Sequence, residues 1–204
     1  CSGCPSIFLN NDLELEKKII TKYENVKKSS SIKLGFHLSQ KMKISNEFEN
    51  KYLDLINNDG VICFPQTEQD IINDIYFDNN KTFLLEKNNK IYKFDKNNFK
   101  YFFDVHDEIN FIHNNIDFVI TTRIHGAIKT ICAETPVILI YHDNRTYELG
   151  SILKIPLISE KEFIENDLYK IINNYFNFNN FEKNKLFLKN KIKNFLKNND
   201  ILIM

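Results

Sequence analysis

The chain has 204 residues, 43% of them hydrophobic and 26% charged, with 27 basic side chains against 27 acidic ones. That length supports one well-buried domain with a helical tail, and the zero net charge excludes a whole-chain field that would recruit nucleic acid. No apolar run approaches the roughly 20 residues that span a bilayer, so a cytoplasmic protein without a transmembrane segment is expected.

In chain order, Cys1-x-x-Cys4 comes first. Zinc spacing would need a second pair of ligands, which does not follow, so reduced thiols are expected. The chain also opens without a methionine, which reads as a fragment or a processed product. A helix is predicted over Asp12–Lys28, a strand over Ile32–Leu38 and a helix over Asn46–Asn57. Then come a strand over Val61–Pro65 and a helix over Thr67–Phe77. The polar stretch Asn79–Asn98, with strand-like pieces at Phe83–Glu86 and Ile91–Phe94, is a hairpin insertion or a surface loop. Helices follow over Asp107–Asn114, Ala127–Glu134 and Thr146–Leu153, separated by strands over Asp117–Thr121, Pro136–Tyr141 and Pro156–Ser159. Alternating helices and Val/Ile-rich strands predict an α/β fold, a Rossmann-like doubly wound parallel sheet over residues 1–160. From residue 161 to 204 the pattern is a helical tail packed on that sheet. Cys63 and Cys132 sit in apolar runs and should be buried.

Of the 27 basic residues only two are arginines, Arg123 and Arg145. A chain that uses Lys almost everywhere keeps Arg where a planar guanidinium must grip a carboxylate or phosphate with two parallel hydrogen bonds. Both lie just beyond a predicted strand, where open parallel sheets bind ligands. The first cluster is Thr121-Thr-Arg-Ile-His-Gly126. A helix N-terminus there offers backbone N–H groups to an anion, Thr122, Arg123 and His125 flank it, and Gly126 permits close approach to the backbone. The second is His142-Asp-Asn-Arg-Thr-Tyr-Glu148, one βα unit later, so parallel topology brings both to one rim. Asp143 or Glu148 would orient Arg145 or His142, or take a proton, although Asp143 also suits a helix cap. A third strand end supplies Gln66 and Glu68, while Thr67 and Asp70 are explained by capping. His37 ends the first strand as a rim or a core residue. His113 reads as solvated, and His106-Asp107-Glu108 as a helix start whose acidic groups suit the dipole. No spacing suggests a metal, and no phosphate-binding glycine loop is present.

These pieces together resemble the polysaccharide pyruvyl transferase family. The likeness rests on Gly3-Cys-Pro-Ser6, Gly35-Phe-His37, Pro65-Gln-Thr-Glu-Gln69, Asp117-Phe-Val-Ile followed by Arg123-Ile-His-Gly126, and His142-Asp-Asn-Arg-Thr-Tyr-Glu-Leu149. The resemblance implies one half of a glycosyltransferase-B-like architecture and transfer of the pyruvyl group of phosphoenolpyruvate to a sugar hydroxyl pair of a bacterial surface polysaccharide or its precursor. It places Arg123 and His125 at the anionic donor, with Arg145, Thr122, Gly126, His142, Gln66 and Glu68 around it. His125, Asp143 and Glu148 are the candidates for proton transfer and charge stabilisation. No metal or cofactor is expected. A nucleotide-sugar-dependent glycosyltransferase and a non-catalytic sugar-binding domain are the alternatives on the same fold.

Overall fold

A computed structural model describes residues 5–38, 45–57, 60–65, 82–87 and 90–199 of the chain. Five strands form a parallel sheet: β1 (Leu34–Leu38), β2 (Val61–Pro65), β5 (Phe118–Thr121), β6 (Val137–Tyr141) and β7 (Leu157–Ser159), in the order β2-β1-β5-β6-β7. Every neighbouring pair is parallel. The fold is therefore the Rossmann-like α/β layer structure expected, and the strand order reverses between β1 and β5, which makes that junction the topological switch point. The stretch after β2 does hold a hairpin-like pair, β3 (Thr82–Lys87) and β4 (Lys90–Asp95), which run antiparallel as a separate two-stranded sheet. The predicted helix Thr67–Phe77 lies outside the described residues.

Eight α-helices are described: α1 (Leu15–Lys28), α2 (Asn46–Ile56), α3 (Val105–Asn115), α4 (Ile124–Cys132), α5 (Asn144–Leu153), α6 (Glu160–Glu165), α7 (Leu168–Tyr175) and α8 (Phe181–Asn198). None is long and apolar enough to cross a membrane. Strand alternation divides the core into two layers. Phe36, Phe118, Ile120, Ile138 and Ile140 face one layer with Phe48 and Tyr52 of α2 and Phe163 of α6. Val119, Val137 and Leu139 face the other, against Ile112 of α3 and Ala127, Ile128 and Ile131 of α4. The helices beyond residue 160 enter both: Ile171 and Ile172 join the first layer, Phe181 and Leu188 the second. Cys63 is buried as expected, but Cys132 is only partly so, because it shares the half-exposed side of α4 with Lys129, three residues before it.

Local chemistry sets most helix starts. Ser45, Asp104, Asp143, Ser159 and Asp167 each cap a helix by accepting a backbone N–H, and Ser159 with Glu162 completes a reciprocal capping box. Three helices lack a side-chain cap of their own, α4 and the pair α1 and α8. The N-cap side chains of α1 and α8, Glu14 and Asn180, make no such bond. Instead Glu16 of α1 accepts from the N–H groups of Asn180 (3.1 Å) and Glu182 (2.9 Å), and the Glu16 N–H donates to the Glu182 carboxylate (3.1 Å). Each helix supplies the other's missing acceptor.

Candidate active site

Because β5 and β6 are adjacent and parallel, the Thr121–Gly126 and His142–Glu148 clusters stand on one carboxyl rim, with Ser159 of β7 beside them. Arg123 and Arg145 thus share an edge of the sheet. Gln66 and Glu68 lie outside the described residues.

The turn after β5 is shorter than expected. Helix α4 begins at Ile124, three residues before the predicted start at Ala127, so His125 and Gly126 belong to its first turn and Arg123 is the N-cap. Arg123 makes no side-chain cap. The turn is shaped by Thr121, whose hydroxyl accepts from the Arg123 N–H (3.0 Å) and donates to the Arg123 carbonyl (3.2 Å). His125 is exposed and Arg123 half-buried. Thr122 is buried, and its hydroxyl has no hydrogen-bond partner among the described residues. Such an atom is costly unless something fills its valence.

Gly126 also has a packing reason. A Cβ there would stand 2.8 Å from the His37 ring and 2.8 Å from the Thr121 hydroxyl. What presses on this glycine in the structure is His37, from beneath.

His37 is wholly buried, on the face covered by α3 and α4. Its Nε2 lies 3.3 Å from Glu108, and the other Glu108 oxygen takes the Lys129 ammonium at 2.5 Å. Glu108 is thus no mere complement to the α3 dipole: it is buried and joins β1, α3 and α4 at the switch point. Burial pushes the imidazole toward its neutral form, the bond to Glu108 opposes this, and the charges on Lys129 and Arg123 act with burial. Burial alone would raise the Glu108 carboxyl, but the bonds from His37 and Lys129 outweigh it and keep the group ionised. A neutral His37 donating through Nε2 carries its lone pair on Nδ1, and that atom has no partner among the described residues.

On the neighbouring strand end, Asp143 caps α5 through a 2.6 Å bond from the Thr146 N–H. Hydrogen bonds from Thr146 hold its carboxyl below the ordinary value, with His142 and Arg145 adding to the effect. Its second oxygen faces His142 Nε2 at 3.6 Å, while His142 Nδ1 is buried without a partner among the described residues. Arg145 and Glu148 are exposed. His142, Asp143 and Asn144 line a cleft of about 490 Å³ together with Tyr141, Tyr147 and, from beyond β7, Glu160. Tyr141 and Tyr147 meet edge to face at 5.0 Å. Sequence reasoning passed over these tyrosines and Glu160. The tyrosines' signal was an aromatic at a strand end and another six residues on; Glu160 had none beyond its place after β7.

These elements define a class: an α/β protein whose switch-point rim carries an arginine, a histidine and a helix N-terminus. The chain belongs to the polysaccharide pyruvyl transferase family, whose model matches residues 1–144. The match takes in the Arg123–Gly126 turn and stops one residue before Arg145. Comparison with curated proteins and with solved structures found no match.

Proposed function

We propose that this chain forms the donor side of an enzyme that moves the pyruvyl unit of phosphoenolpyruvate onto two hydroxyls of a sugar. One observation carries the reading: in a member of the pyruvyl transferase family, Arg123 and His125 flank a helix N-terminus at the sheet's switch point. The donor brings a carboxylate and a phosphate on a three-carbon frame. Arg123, Arg145 and the N–H groups at the start of α4 neutralise and orient them. Protonation of the donor's methylene carbon creates a cationic centre, which the first sugar hydroxyl attacks. Phosphate then leaves with one hydroxyl proton as hydrogen phosphate, and the second hydroxyl closes the ketal while the other proton passes through the base back to the acid. His125 is the acid in this scheme. Asp143, kept ionised by its cap bonds, stabilises the cation, and Glu148 accepts a hydroxyl proton.

The acceptor belongs in the adjoining cleft. Tyr141 and Tyr147 offer apolar faces to a sugar ring, and His142 and Asn144 offer hydrogen bonds to its hydroxyls. A preceding domain of the same protein would close the other side.

Calorimetry on the full-length protein tests the donor. Phosphoenolpyruvate is expected to bind and a sugar nucleotide not to; the reverse result would make the chain a nucleotide-sugar glycosyltransferase.

A further inference from the structure

We propose that His37, Glu108 and Lys129 form a buried brace that sets the shape of the Arg123–Gly126 turn from below, with His37 as a positioning residue for the donor. The inference rests on the function proposed above. Three elements meet in the brace: His37 at the end of β1, Glu108 one turn into α3, and Lys129 on the second turn of α4. Charged and ionisable groups are costly in a core, and an apolar trio would pack there at less cost. Their presence at the switch point calls for a reason in geometry.

The geometry supplies it. The His37 ring is fixed on one side by Phe64, with ring centroids 5.1 Å apart, and along its length by the 3.3 Å contact to Glu108. Its backbone carbonyl is held by the Tyr52 hydroxyl at 2.9 Å. Its Nδ1 edge lies against Gly126, close enough that a methyl group would collide. The first turn of α4 therefore rests on the imidazole. Lys129, one helical turn further along α4, ties the same helix to Glu108. Movement of His37 or Glu108 would tilt the helix start on which His125 and the backbone N–H groups are displayed.

The experiment compares the full-length wild type with His37→Phe, His37→Gln and the pair Glu108→Gln/Lys129→Met. The Phe variant keeps a ring beneath Gly126 but cannot donate to Glu108; the Gln variant keeps a donor there. The pair removes the buried Glu108 charge and its half-buried Lys129 partner together, so no unpaired charge is left to unfold the protein. Hydrogen exchange of residues 122–127 without ligand is read first. It should quicken in the Phe variant and in the pair, and recover in the Gln variant. Donor KM should rise about tenfold to a hundredfold in the same two proteins while acceptor KM stays within about twofold, as a misplaced turn requires. Unchanged exchange at 122–127 in folded variants overturns the brace. Equal losses for donor and acceptor, following a lowered melting temperature, reduce it to core packing and also overturn it. A wild type that binds no phosphoenolpyruvate, with exchange altered as expected, leaves the brace standing and removes the donor assignment.

Discussion

Arg123 is an N-cap that caps nothing, because Thr121 bonds its backbone on both sides. Arg123→Lys keeps the positive charge and should leave the melting temperature nearly unchanged. Loss of one charge-assisted bond of a guanidinium pair should slow transfer about 10- to 150-fold; near-wild-type turnover would take Arg123 out of the site. Gly126 sits tighter. Gly126→Ala forces a methyl group against the His37 ring and the Thr121 hydroxyl and should cost about 1–3 kcal/mol, read as a lower urea midpoint. His37 also gives stability a pH dependence. Its pKa is lowered by folding, so between that value and the ordinary one the unfolded chain binds more protons. Stability is full above about pH 6.5 and declines as pH falls below it. Glu108, lowered in the same sense, acts only in the carboxylate range. Urea midpoints measured from about pH 7.5 down to about pH 5.5 should fall in wild type, and the slope should flatten in His37→Gln.

At the scale of elements, α5 separates capping from chemistry. Asp143→Ser retains a cap and should keep the helix, whereas Asp143→Ala should cost about 1 kcal/mol. If the carboxylate also stabilises the reacting cation, the Ser variant will melt like wild type and still lose transfer; full activity in it would leave Asp143 a cap alone. The strands were the most legible elements. Val61–Pro65 has the predicted bounds, and the other four start one or two residues late, since a short Val/Ile run between turn residues admits few alternatives. The start of α4 was misread because Arg123-Ile-His-Gly126 holds no capping side chain and its glycine imitates a turn. The hydroxyl that organises it precedes the helix by three positions. The brace was illegible. His37 and Glu108 are 71 residues apart, and nothing local to either announces the other. Both arginines, by contrast, stood out through their rarity, and the rim brings them to neighbouring strand ends.

For the molecule as a whole, zero net charge means that attraction of the proposed multiply charged donor would be local, confined to the rim. Donor affinity should then fall as salt rises from about 0.05 to about 0.5 M, because the screening length drops from above 10 Å to a few ångströms. A salt-independent affinity would argue against charge pairing as the source of binding.

The exchange of caps between α1 and α8 has a consequence in time. Glu16 and Glu182 are 166 positions apart, so during synthesis α1 emerges long before its acceptor exists. At ordinary elongation rates the interval is on the order of ten to thirty seconds. Throughout it, the first turn of α1 must be satisfied by water or by a chaperone. The clasp is thus a completion signal. A nascent chain that has not reached α8 should fray at residues 15–18 and be cut there by a protease, and a finished one should resist.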